Sequence, residues 1–322
     1  MHVHPTMRNM PPPNFQLSNC QGRKRALLIG INYFGQSAEL KGCINDVHNI
    51  KQFLMSLYQF REDDMVILTD DQSHPDNIPT KQNIVRAMMW LVSDARPNDS
   101  FFFHFSGHGG RMKDYDGDED DGYDETIYPV DHAVYGQLVD DKMHDIMVKP
   151  LPPGCRLTAI FDSCHSGTAL DLPYVYSTKG AVKESSIWKD AGSSLKNAGK
   201  AYISGDPSRA ISSVLSMGNR FLNGGGMSSG NLKERNKREK GSPADVIMFS
   251  GCKDSQTSAD AYENGRSTGA MSFAITTVLR SNPNQSYIQL LNNIRTILRE
   301  KYDQRPQLSS SHPIDINLLF MI

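Results

Sequence analysis

Two residues in this chain combine reactive chemistry with a telling placement, Cys164 and His108. Cys164 lies in RLTAIFDSCHSG, where Leu157, Ala159 and Phe161 alternate with Thr158 and Ile160 before polar residues and Gly167 end the run. That pattern predicts a buried strand opening into a loop, with the thiol just past the strand's C-terminal end. His108 has the same place in SFFFHFSGHGG, an aromatic-rich strand running into glycines. In an open parallel α/β sheet the loops diverge at the carboxyl ends of the strands, and reactive groups gather there. A thiol beside an imidazole is a nucleophile with its base. A free cysteine titrates near about 8.5 and needs such a partner to become thiolate at neutral pH. The expected chemistry is attack of Cys164 on a peptide carbonyl, protonation of the leaving amine by His108, and hydrolysis of the thioester by water. Backbone N–H groups of Gly109 and Cys164 are the expected oxyanion donors.

Extended chain has period two, so Asp162 projects to the side of Cys164, and Ser106 to the side of His108. A carboxylate behind the nucleophile favours a cationic substrate side chain and repels an acidic one. Selectivity for Lys or Arg follows as an expectation. His165 faces away from Cys164 on an extended chain and His104 lies deeper in its strand, so both read as structural.

The elements that must hold these groups alternate along the chain. Residues 25–33, RALLIGINY, form a strong buried strand, and Val47, Ile50, Phe53, Leu54 and Leu57 follow at helical spacing. Asn45 or Asp46 offers an N-cap. Residues 65–69 are the next strand, Thr80 caps a helix carrying Ile84, Met88, Leu91 and Val92, and residues 100–108 are the third strand. This rhythm predicts a right-handed parallel α/β sheet. The acidic loop 114–125 suggests calcium, since a hard cation takes several oxygens. An EF-hand is rejected, because Glu119 stands where the loop needs glycine and a strand precedes it. Asp140 and Asp141 precede a short helical stretch and cap it or bind metal.

Residues 200–205 read as a weak strand. The stretch 207–243, with Gly224-Gly225-Gly226, serines and a basic run, reads as a mobile, cuttable loop. Residues 245–251 are again a buried strand, helices are expected over 271–279 and 286–298, the second with a Ser286 and Gln289 capping box, and residues 314–320 are expected to close the sheet. Residues 1–22, with three consecutive prolines, read as a flexible leader remnant. Residues 23–322 are counted as one domain, because both sides of the loop need the same sheet. Pieces left by a cut in that loop would stay associated through it.

Composition narrows the classes of function. In 322 residues, 38% hydrophobic and 22% charged content is that of a globular protein, and a net charge of −2 supplies no field for nucleic acid or anionic membrane. The basic run lacks interleaved aromatic residues, which also argues against nucleic acid. Five cysteines without a CxxC pair argue against a disulfide framework and fit a reducing compartment. No stretch approaches the roughly 18 consecutive apolar residues of a membrane span, and no signal core opens the chain.

Four motifs in order, GCIND at 42–46, SGHGG around His108, DSCHSG around Cys164 and LSSSHPID at 308–315, resemble the fungal type I metacaspases, cysteine peptidases of caspase fold. His108 also precedes Cys164 by roughly the 50 residues of a caspase-type pair. The resemblance covers nearly everything from about Arg25 onward. It implies a caspase-like α/β fold with a central, mostly parallel β-sheet flanked by helices on both faces. It implies a calcium-activated endopeptidase cutting protein substrates after Arg or Lys, a self-processing zymogen active as a monomer. Stress, cell death and protein quality control, in cytoplasm or nucleus, are the implied setting. The S1 pocket would be formed by Cys43, Asp46, Ser106 and Asp162, and the Ca2+ site by Asp124, Asp140, Asp141 and Asp171. Read alone, Cys43 would be packing and Asp46 a helix cap. Specificity for basic residues makes Arg220, Lys233, Arg235, Lys237, Arg238 and Lys240 candidate points of self-cleavage. Family members usually carry a longer Gln/Pro-rich leader than residues 1–22. Two other functions remain open, a binding scaffold in aggregate handling that does not need Cys164, and a metal-dependent hydrolase built on His104, His108 and the aspartates.

Overall fold

The computed structural model describes residues 15–113, 123–163, 167, 169–176, 240–251, 260–263, 266–302 and 304–322, all within one folded unit. In chain order its elements are β1 (Lys24–Gly30), α1 (Cys43–Tyr58), β2 (Met65–Thr69), α2 (Lys81–Val92), β3 (Ser100–Ser106), β4 (Gly109–Lys113) and β5 (Tyr123–Ile127). Then come α3 (His132–Tyr135), β6 (Leu138–Val139), α4 (Asp140–Met147), β7 (Arg156–Asp162), β8 (Tyr174–Tyr176) and β9 (Asp245–Gly251). The chain closes with β10 (Asp260–Glu263), β11 (Arg266–Gly269), α5 (Ala270–Ser281), α6 (Tyr287–Lys301) and β12 (Pro306–Ser310). The expected strand at 200–205 and most of the basic loop lie outside the described residues.

The main sheet has seven strands in the order β2-β1-β3-β7-β9-β12-β8. The first five run parallel, and β12 is antiparallel to β9 and to β8. Strand period divides the core in two. Leu27, Ile29, Phe101, Phe103, Phe105, Leu157, Ala159, Phe161, Val246 and Met248 face α2 and α4. Leu28, Phe102, Ile160, Ile247 and Phe249 face α1, α5 and α6. The strands are therefore apolar on both sides, which is what a sheet covered by helices on both faces requires.

Local chemistry starts two helices as expected. Thr80 Oγ1 accepts from Asn83 N at 3.2 Å, and Ser286 and Gln289 form a reciprocal capping box. Asp46 does not cap α1: the N-cap is Gly42, and Asp46 lies in the first turn, fully buried. Asp140 and Asp141 do not cap α4 either, because Val139 is its N-cap and no side chain bonds there. Residues 314–320 do not close the sheet. Pro313 brings no N–H to a ladder, and Asp315 starts a turn in which its carboxylate accepts from Asn317 N and its carbonyl from Leu318 N. The tail instead gives the carbonyls of Ile316 and Leu318 to the N–H groups of Ile288 and Tyr287, at 3.0 and 3.2 Å. Those are orphan donors of the first turn of α6. The sheet ends with the short strands β12 and β8.

Candidate active site

β3 and β7 pair in parallel with Ser106 opposite Asp162, so their carboxyl ends are level. Gly107 and His108 continue from one, Ser163 and Cys164 from the other. Cys164 and His165 lie outside the described residues, and Ser163 is buried. Gly107 N donates to Asp162 O at 3.4 Å, holding the two exits together.

His108 is fixed by the loop that leaves β1. Its backbone N–H donates to Tyr33 Oη at 2.9 Å, and Tyr33 Oη donates to Tyr128 O at 2.7 Å. The Tyr33 ring lies 4.5 Å from the imidazole, tilted by 35°. Burial pushes the Tyr33 phenol well above its ordinary pKa, so it remains a donor. Glycine is required at 107 by close approach, since a Cβ there would stand 2.9 Å from Tyr33 Oη. His108 Nε2 is 2.6 Å from Ala38 O. A carbonyl only accepts, so Nε2 carries the proton and Nδ1 is the basic nitrogen of the neutral ring. Nothing in the sequence of the β1–α1 loop marks Ala38 for this role, because its backbone performs it.

Strand period puts Ser106 and Asp162 on the face covered by α1 and α5, where two further groups meet them. Ser106 Oγ donates to Asp46 Oδ2 at 2.6 Å. Gly269 N donates to both Asp46 oxygens, at 2.8 and 2.9 Å, and Ser272 N donates to Asp162 Oδ2 at 2.7 Å. The N-terminus of α5 is thus aimed at two buried carboxylates, with N–H groups and helix dipole both favouring their charge. A Cβ on Gly269 would collide with Asp162 and stand 2.7 Å from Asp46 Oδ2. Cys43, buried at the start of α1, precedes Asp46 at the spacing that shares a helix face. The structure therefore brings Asp46, Ser106 and Asp162 together, and adds Gly269 and Ser272. A small residue just before the helical run 270–281 was the one signal for them.

His104 lies behind this group, in contact with it through Ser272. It is fully buried in β3 with Nε2 2.9 Å from Ser272 Oγ, and burial lowers its pKa to about 3.

On the other face of the sheet, Asp124 from β5 and Asp140 and Asp141 from α4 bring carboxylate oxygens within 4.8 Å of one another. Asp140 is buried, accepting from Glu125 N and Asp141 N at 2.9 Å each. Burial, then the charges of Asp171 and Glu125, pushes its pKa up to about 8 despite those two bonds. Asp171, at φ 49° in the left-handed conformation that Asp tolerates, joins the group through Lys240. The Lys240 ammonium contacts both Asp141 Oδ1 and Asp171 Oδ2. An all-oxygen donor set is what a hard cation such as calcium takes. Asp124, Asp140 and Asp141 together fit such a cation, and Asp171 adjoins them through Lys240.

Of the candidate self-cleavage points, Arg220, Lys233, Arg235, Lys237 and Arg238 lie outside the described residues. Lys240 is described, and its side chain is engaged as above.

This architecture, five parallel strands with reactive loops at their carboxyl edge and helices on both faces, defines a caspase-like α/β fold. A family model described as metacaspase, peptidase C14 domain, matches residues 24–173. Metacaspase-1 of Meyerozyma guilliermondii is 60% identical over 308 residues, covering 96% of this chain and 74% of that protein. Metacaspase-1 of Yarrowia lipolytica is 57% identical over 325 residues, covering 98% and 69%. The chain belongs to the metacaspases, and is a cysteine peptidase that acts on proteins. In fold it is also similar to a crystal structure of a Geobacter sulfurreducens protein, 20% identical, with a TM-score of 0.54 over 91% of this chain and 95% of that one.

Proposed function

We propose that this peptidase cuts after Arg or Lys and is activated by calcium. The observation that carries the specificity is the convergence of Asp46 and Asp162, with Ser106 between them, directly behind the level ends of β3 and β7. A guanidinium or ammonium would offset that charge, whereas an acidic side chain would be repelled and left desolvated. Cys43 closes the pocket at the start of α1. His108 Nδ1 takes the thiol proton of Cys164, the thiolate attacks the carbonyl carbon, and the N–H groups of Gly109 and Cys164 hold the oxyanion. His108 then returns the proton to the leaving amine, and water releases the acid from the thioester.

Calcium bound by Asp124, Asp140, Asp141 and Asp171 would be held by four carboxylates and would offset two of their charges. Asp171 follows closely on the Cys164 loop, and Gln307 Nε2 donates to Gly167 O within it. Fixing Asp171 therefore constrains the nucleophile's loop. Self-processing in the basic segment, a monomeric state, and stress or quality-control proteolysis in cytoplasm or nucleus complete the reading. No helix among the described residues is long and apolar enough to cross a membrane.

The test is cleavage of fluorogenic peptides ending in Arg, Lys or Asp, with calcium or with chelator, by wild type and Cys164→Ala. Calcium-dependent cutting after Arg and Lys, lost in the variant, is expected. Cutting after Asp would refute the pocket, and cutting unaffected by chelator would refute the metal requirement.

A further inference from the structure

Lys240 stands where its sequence neighbours gave no reason to expect it. Its side chain is 13% exposed, and its ammonium bridges Asp141 and Asp171, two of the four carboxylates assigned to calcium. The backbone is held as well: His144 Nε2 is 3.0 Å from Lys240 O. His144 lies one turn beyond Asp140 on α4, so one short helix supplies two carboxylates and the group that pins the lysine opposite them. We infer that Lys240 is a tethered counter-cation, which fills the calcium site in the metal-free protein and must be expelled for the ion to bind.

This inference rests on reading Asp124, Asp140, Asp141 and Asp171 as the metal site. Four carboxylates gathered with no cation would repel one another, and a buried one such as Asp140 would be held out of its charged form. One ammonium relieves part of that repulsion and lets the metal-free fold persist. It carries one charge and three donors on a flexible stem, whereas calcium carries two charges and accepts six to eight oxygens. The ammonium is therefore a weak occupant that a divalent ion can displace. The two cannot share the site, since both would claim the same oxygens of Asp141 and Asp171 at repulsive separation.

Displacement has a direction along the chain. Lys240 leads into β9, and the basic segment with the other candidate cut points lies immediately before it. Metal binding would send the Lys240 side chain toward solvent and loosen the anchor at the end of that segment. Linkage makes the coupling reciprocal, so whatever holds Lys240 in place weakens calcium by the same factor.

Calorimetric titration of the full chain with calcium chloride, in a Cys164→Ala background to prevent self-digestion, tests this. Lys240→Met is expected to lower the calcium Kd by at least about tenfold, as removal of a competing unit charge at contact distance requires. An unchanged or raised Kd would overturn the inference while leaving the metal site standing. Absence of calcium binding to either chain, with Asp140→Asn making no difference, would remove the site and the inference together. A second readout needs no change at Lys240: reductive methylation followed by mass spectrometry. Lys240 is expected to be protected with chelator and modified at least about tenfold faster with calcium. Equal labelling in the two states refutes displacement.

Discussion

Tyr33 is placed to hold the candidate base His108 in position. Its hydroxyl joins the His108 N–H to the Tyr128 carbonyl, and its backbone takes the left-handed conformation, φ 57°, which tyrosine rarely adopts. Tyr33→Phe keeps the ring and deletes the relay. Loss of one such buried hydrogen bond is worth about 1–1.5 kcal/mol, so kcat on an Arg peptide is expected to fall by about tenfold with KM nearly unchanged. Steady-state kinetics decide it: a change confined to KM would mean that the hydroxyl serves binding instead. His104 makes a different prediction. Its folded pKa is about 3 against an ordinary 6.5, so between these values the unfolded chain binds the extra proton. Stability should therefore fall as pH drops below about 6.5, by up to about 1.4 kcal/mol per pH unit from this one group. Urea denaturation at several pH values, with His104→Gln as the non-titrating control, measures that slope. Equal slopes for the two proteins would contradict it.

Helix α5 meets the candidate pocket through its first turn, and Gly269 is the point of closest approach. Gly269→Ala puts a methyl group against Asp46 and Asp162 and forces the helix away. Cleavage of Arg and Lys peptides is expected to drop by at least about a hundredfold, because small misplacements at a reacting site cost that much. Thermal denaturation should show a folded protein destabilised by about 1–3 kcal/mol; retention of full activity would show that the helix does not position the carboxylates. Much of this region is legible in sequence. Period two places Ser106 and Asp162 on one face, and glycines after apolar runs mark the exits of β3 and β7. The meeting of Asp46 with Gly269 is not, because it depends on how α1 and α5 cross the sheet rather than on any local spacing. Strand β12 is hidden for another reason: Gln307, Ser309 and Ser310 look like loop, and become strand only because β9 and β8 on either side take their backbone bonds. Residues 314–320 mislead in the opposite way: Ile314 and Phe320 are buried, Phe320 against Tyr287 of α6, while Leu318 and Leu319 are exposed, and the stretch joins no ladder of the main sheet. The contact of Lys240 with Asp171 joins segments on either side of residues 177–239, and no pattern in either one points to the other.

Taken whole, the fold ties together parts of the chain that lie far apart in sequence. At the amino ends of β7 and β9, Arg156 and Asp245 are register partners and form a fully buried ion pair at 2.8 Å, with Tyr287 Oη also on the guanidinium. Burial raises the Asp245 carboxyl, but Arg156 and His312 outweigh that and hold it below its ordinary range. Arg156→Met would leave that charge buried and unpaired, and should cost about 3–5 kcal/mol, read as a lower denaturant midpoint. A variant as stable as wild type would show that the pair contributes no net stability. The strand order gives the larger consequence. β9 and β12 follow residues 177–239 in the chain, yet they lie between β7 and β8, which precede them. A cut anywhere in 177–239 yields two pieces dovetailed into one sheet. Cut protein is expected to run as one species in gel filtration and as two bands under denaturing conditions; separation without denaturant would contradict the strand order. Under the proposed calcium-triggered self-processing such a nick would be irreversible while the halves stay paired, so each molecule would keep a lasting record of having once been cut, and the ratio of nicked to whole chains would report past exposure to calcium.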